Sequence, residues 1–201
     1  MRKLCFLLLI AAMPFAAHAT VLTFGPVCSG ACVDVPIPSG YGGFTWDPSF
    51  YAVSNTTYEN NYSNTYGAPS GGAAFNAGGS TPVSLSSSTP FFFNGADFSS
   101  FAGNDTYQSY SSLTVTIAGF DSSMNLVGVC SQTLSASSYN FLTCDLANVS
   151  TLVFHNDTGQ AGHWWLMDDF TYNGTTPEPG SLMLLGSGIV GVAGMLRRKL
   201  F

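Results

Sequence analysis

Leu113-Thr114-Val115-Thr116-Ile117-Ala118 alternates between larger apolar side chains and small or hydroxyl-bearing ones, and the run ends at Gly119. A period of two is the repeat of an extended chain with one face buried and one wet, so this stretch predicts a half-buried strand. Asp121-Ser122-Ser123-Met124-Asn125 follows, and short Asp, Ser and Asn side chains bond their own backbone in turns. Residues 126–134 predict the next strand, 135–138 (Ser-Ala-Ser-Ser) a second turn, and 139–146 the returning strand. Residues 149–154 and 164–172 complete the series towards the C-terminus. Upstream, residues 89–93 with Phe98 and Phe101, residues 50–53, and Phe44-Thr45-Trp46 read as further short strands, with residues 21–24 alternating weakly. Many short strands joined by turns predict an all-β fold, an antiparallel β-sandwich or jelly roll. Residues 54–79 are rich in Asn, Ser and Gly and predict a long surface loop, in which Tyr58, Tyr62 and Tyr66 recur every four residues.

Charge is distributed unevenly along the 201 residues. All five Lys and Arg lie at positions 2, 3, 197, 198 and 199, while ten of the eleven Asp and Glu fall between residues 20 and 176. That region carries a formal charge of −10 with no cation. Phosphate backbones are bound through Lys and Arg, so a nucleic-acid partner is excluded, and anionic substrates that need an Arg clamp are disfavoured. Neutral ligands and divalent cations remain. Each carboxylate must be solvated, hydrogen-bonded, protonated or metal-bound, since no ion pair is on offer.

The two ends differ in kind from the middle. Arg2 and Lys3, an apolar run over residues 4–12 and Ala17-His18-Ala19 have the order of a secretory signal peptide cleaved after Ala19. At the other end Pro177, Glu178 and Pro179 precede an uncharged run of 16 residues, 181–196, and then Arg197, Arg198 and Lys199. As a helix this run would span roughly 24 Å, a short transmembrane segment that snorkelling cations can extend. The basic stop then stays cytoplasmic and the body lies outside. Gly186, Gly188 and Gly191 spell a dinucleotide-binding fingerprint, but no strand precedes them, and close helix packing explains them better. The predicted organisation is a leader over 1–19, an exported domain over 20–176 and a sorting segment over 177–201.

The C-terminal arrangement resembles the PEP-CTERM sorting signal of Gram-negative bacteria in all three parts and their order. The resemblance implies recognition by an exosortase, residence in the inner membrane before processing near the triplet, and delivery to the cell surface or extracellular matrix. It says little of what the exported domain does. The second half of that domain, ending in Trp165, Met167, Asp168, Asp169, Phe170 and Tyr172, resembles the galactose-binding-like jelly rolls that often precede this signal.

Four residue groups are candidates for chemistry. With the leader removed, four cysteines remain. A hairpin centred on Ser137 would set Cys130 opposite Cys144, leaving Cys28 to pair with Cys32 across a short loop. The alternative, a metal site of cysteines with His155 or His163, needs thiolates in an oxidising compartment. Asp168 and Asp169 are adjacent in an apolar run, so one faces inward; without a cation nearby they invite Ca²⁺, which the jelly-roll resemblance also implies as a structural ion, or else Asp168 caps backbone N–H groups. Tyr58, Tyr62, Tyr66 and Trp164 offer ring faces for extracellular polysaccharide, or else they belong to the core. No nucleophile elbow or metalloprotease helix is present. The expectation is a non-enzymatic carbohydrate-binding or structural module, with a polysaccharide hydrolase or lyase as the alternative.

Overall fold

The computed structural model describes residues 19–28, 30–62, 67–76, 81–101, 111–156 and 164–173, with the backbone only over 59–62. The leader up to residue 18 and the sorting segment lie outside the described residues, as do Tyr66, His163 and the side chain of Tyr62. Ten strands follow in chain order: β1 (Thr20–Leu22), β2 (Val35–Pro36), β3 (Thr45–Trp46), β4 (Phe50–Ser54), β5 (Gly72–Asn76), β6 (Val83–Ser100), β7 (Thr114–Phe120), β8 (Leu126–Thr133), β9 (Asn140–Asn156) and β10 (Trp165–Tyr172). Among the described residues one α-helix, α1 (Asn55–Tyr62), sits between β4 and β5, and single 3-10 turns occupy Gly25–Val27 and Tyr41–Gly43. The ladders between strands are antiparallel and run β2-β4-β5-β10-β6-β9-β7-β8, with β1 added to β10 and β3 to β6.

Two strands are long because each serves two layers. In β6, Val83–Ser86 pair with residues 151–154 of β9, whereas 91–98 pair with residues 140–149, and the register shifts at three points between. Each shift is a bulge that bends the strand and re-aims its side chains, which is how one strand passes from one sheet of a sandwich to the other. One layer is therefore β2, β4, β5, β10, the second half of β6 and the first half of β9. The other is β3, the first half of β6, the second half of β9, β7 and β8.

The core is mainly aromatic. Phe154 of the second layer meets Phe50, Trp165 and Phe98 of the first at ring-centroid distances of 5.6, 5.5 and 6.5 Å. Phe44 and Trp46 meet Phe170 at 5.5 and 6.3 Å, and Phe93 stacks on Phe170 at 4.9 Å. Such pairs contribute about 0.5–1.5 kcal/mol each beyond the area they bury. The buried indole N–H of Trp165 donates to Asn156 Oδ1 at 2.6 Å. The alternation has the expected consequence over β7, where Val115 and Ile117 are fully buried, but Leu113 lies just outside the strand and is exposed.

Several expectations change. The stretches 139–146 and 149–154 are a single strand, β9, and 89–93 joins Phe98 in β6, because a bulge interrupts the apolar pattern without ending the strand. Residues 126–134 and 139–146 do not form a hairpin: β8 pairs with β7, and β9 runs between β6 and β7. Cys130 and Cys144 are nonetheless disulfide-bonded, with Cα atoms 5.3 Å apart. The symmetric turn brings them opposite each other, and the bond joins the edge of one layer to the edge of the other rather than two strands of one ladder. Cys28 and Cys32 are bonded as well, so neither pair is a thiolate metal site. Residues 54–79 are not a plain loop; they contain α1 and β5.

Asn173 takes a positive φ of 58° and leaves the sheet, while its N–H donates to the Phe92 carbonyl at 2.7 Å and its Oδ1 accepts from the Phe92 N–H at 3.4 Å. At the other end β1 pairs Thr20 with Tyr172, so the first and last strands of the body lie side by side.

Gly95 is where β6 passes closest to β9. Its φ is +152°, and a Cβ there would lie 1.9 Å from the Leu142 carbonyl oxygen. Gly95→Ala should destabilise the domain by more than about 3 kcal/mol, through a backbone clash that no side-chain rotation relieves. Urea unfolding followed by tryptophan fluorescence measures it; a loss below 1 kcal/mol, on the order of an ordinary surface change, would contradict the crossing geometry.

Candidate functional site

The outward face of the first layer carries a second, smaller core. Val53, Ala73, Phe75, Phe101 and Leu166 pack there with Ala68 and with Tyr58 from α1. Tyr58 is 2% exposed, its ring 5.5 Å from that of Phe101. Tyr58 therefore turns inward from α1 and presents no ring face to solvent. Trp164 is half-buried against Phe101 and Phe75, at 4.8 and 6.3 Å. These two candidate glycan contacts are therefore packing residues, and the structure assembles no aromatic platform from them.

Asp168 is fully buried on this side. Its Oδ2 accepts the Ser70 backbone N–H at 2.7 Å, and its Oδ1 accepts the Ser70 hydroxyl at 2.7 Å. The segment bearing Ser70 is closed at its base by Asn55, whose side chain both donates to the Ala68 carbonyl at 2.9 Å and accepts the Ala68 N–H at 2.8 Å. Asp97 lies opposite Asp168 across the β6–β10 ladder, and Asp169 adopts a positive φ of 46° at the bulge. Burial raises the pKa of Asp168, against the Ser70 bonds that pull it down. Burial raises Asp97 too, helped by the charge of Asp169, and burial raises Asp34 and Asp169.

Calcium requires six to eight oxygens. Both oxygens of Asp168 are already engaged by Ser70, and the described residues gather no group of three or more His, Cys, Asp or Glu that could hold a metal. The donor set does not fit the ion. Asp168 instead fastens the covering segment to the sheet, which is the capping role that two neutral donors allow.

The outward face of the second layer is different. Opposed residues in a ladder point the same way, and Val115 and Ile117 point in, so Thr114 and Thr116 point out with every residue registered against them. Across β8, β7, β9 and β6 this gives Thr133 and Thr114; then Ser131, Thr116 and His155; then Val129, Ala118, Val153 and Ser84; then Leu126, Phe120, Thr151 and Ser86, with Thr45 of β3 beyond. Five strands contribute, covering about 19 Å across at ~4.8 Å per strand. These rows contain no Asp or Glu, in a domain whose every ionised side chain is acidic apart from histidine. Sequence reading found Thr114 and Thr116 in alternation; their neighbours follow only from the register.

Fold and tail together define an all-β sandwich module followed by a sorting segment. The tail is specific: residues 175–199 match the PEP-CTERM protein-sorting motif, which implies export and an exosortase as processing partner. The match covers the end of the chain and not the module. No helix among the described residues is long and apolar enough to cross a membrane, and the run at 181–196 lies outside them. No curated protein matches the sequence. Among solved structures, a DUF4465 family protein from Bacteroides caccae is similar in fold at 11% identity, over 81% of this chain and 95% of that one, with a TM-score of 0.50. The K2 cleaved adhesin domain of Lys-gingipain aligns at 11% identity over 77% and 99% (TM-score 0.46), and a CBM29-2 family 29 carbohydrate-binding module at 15% over 78% and 91% (TM-score 0.42).

A carboxylic acid whose pKa is higher in the fold than in the open chain binds its proton more tightly when folded. Asp168, Asp97, Asp34 and Asp169 thus favour the fold at acid pH, and stability falls as pH rises from about 4 towards neutrality. Exposed Asp121, lowered mainly by its side-chain bonds to Asn125, acts in the opposite sense. The thermal midpoint should therefore be higher at mildly acid pH than at neutral pH. Asp168→Asn should keep the fold and flatten this dependence. Asp168→Ala, which strands the Ser70 N–H, should cost about 1–3 kcal/mol. Melting curves across pH check all three; a midpoint that rises with pH up to neutrality would contradict the burial argument.

Proposed function

We propose that this chain is an exosortase-sorted protein displayed at the cell surface or in the extracellular matrix, whose jelly-roll-like module binds neutral carbohydrate or builds the matrix without catalysis. The observation that carries this reading is the junction: Asn173 is still fastened to Phe92 of the module, and the sorting motif starts at residue 175. A single residue separates the two along the chain. Charge supports the neutral ligand, because a module with ten acids and no Lys or Arg repels anionic polymers and lacks the groups that would bind them.

Two measurements test the reading. In a host carrying an exosortase, mass spectrometry of the surface-displayed protein should show no residues from the apolar run 181–196, and Pro177→Ala with Pro179→Ala should retain them; an intact C-terminus on the displayed wild-type protein counts against processing. Retention on insoluble neutral polysaccharides should be measurable for the exported protein and unchanged by EDTA. Release of reducing sugar in the same assay would move the reading to an enzyme.

A further inference from the structure

We propose that the outward face of the second layer, built from Thr45, Ser84, Ser86, Thr114, Thr116, Ser131, Thr133 and Thr151 around the methyl row of Val129, Ala118 and Val153, is the module's docking surface for a neutral, hydroxyl-rich polysaccharide. The proposal rests on the carbohydrate-binding reading above and places it on particular residues.

Three observations lead to this face. First, the other broad sheet surface is already taken: α1 and the Ser70 segment cover the first layer, and the rings on that side pack on one another. Second, the second-layer face presents hydroxyl groups in rows flanking a row of methyls, with Thr45, Val129, Ser131, Thr133 and His155 exposed, Thr114, Thr116, Thr151, Val153, Ser84 and Ser86 partly so, and Ala118 buried between its neighbours. Each Ser or Thr hydroxyl is both a donor and an acceptor, as is each sugar hydroxyl, and the methyl row meets the C–H surface of a sugar ring. A chain of repeating rings can engage successive rows, so weak contacts accumulate along the polymer. Third, its neutrality selects among partners. An anionic polymer is repelled by the ten carboxylates of the module, and a cationic one is drawn to carboxylates, none of which falls in these rows. A protein partner requires a centre of large anchoring side chains, and the large apolar pair in these rows, Phe120 and Leu126, stands in the last row and not at the centre.

The test uses the exported full-length protein after leader removal, in detergent, against insoluble cellulose, insoluble xylan and anionic alginate gel. Wild type should be retained on at least one of the two neutral polymers and not on alginate. Thr116→Asp, at the centre of the face, and Ser131→Asp with Thr45→Asp, at its exposed margins, should each weaken retention by roughly tenfold or more. Thr143→Asp, exposed on the first half of β9, should not change it. Circular dichroism and the thermal midpoint confirm that each variant is folded, and the marginal pair covers the case in which Thr116→Asp fails to fold. Retention of wild type that survives the face substitutions overturns this placement and leaves the carbohydrate reading standing. Absence of wild-type retention on both neutral polymers overturns both. A shift to dimers in sedimentation that the face substitutions abolish assigns the face to a second copy and overturns the polysaccharide.

Discussion

No ammonium or guanidinium group is available between residues 20 and 176, so this fold is held without ion pairs from Lys or Arg. The consequences reach every level. Layer-to-layer contact is made by aromatic rings: Phe154 meets Phe50 edge to face and Trp165 at a tilt. Asp168, the one fully buried carboxylate among the described residues, accepts an N–H and an O–H from a single serine. Burying a charge on neutral donors alone leaves part of the desolvation cost uncompensated, which is why the raised pKa persists despite two short bonds. The two disulfides add cross-links where neither rings nor ladders reach, one in a short N-terminal loop and one between the free edges of the two layers.

Much of the strand content was legible because alternation survives wherever one face of a strand is wet. β7 is the clearest case, and residues 126–134 and 164–172 came within a residue of β8 and β10. What alternation cannot reveal is a strand that changes layer. In β6 and β9 the bulges reverse which side is buried part-way along, so each looks like two strands. The same limit explains the disulfide: spacing about Ser137 placed Cys130 and Cys144 together correctly, while β8 takes the strand before it as its ladder partner and β9 pairs with β6 and β7, farther back in the chain. Residues 54–79 misled for another reason. Asn and Ser neighbours are poor helix formers, yet Tyr58 supplies a buried anchor that overrides weak local propensity.

For function, the address was readable and the surface was not. A sorting tail is a linear signal read by another protein, so residue order suffices, and the match at 175–199 agrees with it. Ligand contacts guessed from residue type fared differently. Trp164 has the chemistry of a sugar platform but is packed against Phe101 and Phe75, since a large ring in a small domain is worth more inside than out. The hydroxyl face drew no attention in the sequence, because single Ser and Thr residues scattered over five strands signify nothing until the ladders align them.

The pairing of Thr20 with Tyr172 brings the beginning and end of the module to one spot on its rim. Such a body can be spliced into a longer chain at that spot without stretching its host, or re-cut elsewhere with its native ends fused. The exposed turn at residues 121–125, where Asp121 gathers the N–H groups of Ser123 and Asn125, offers a natural place for new ends. A module built this way is suited to shuffling among proteins that share its sorting tail.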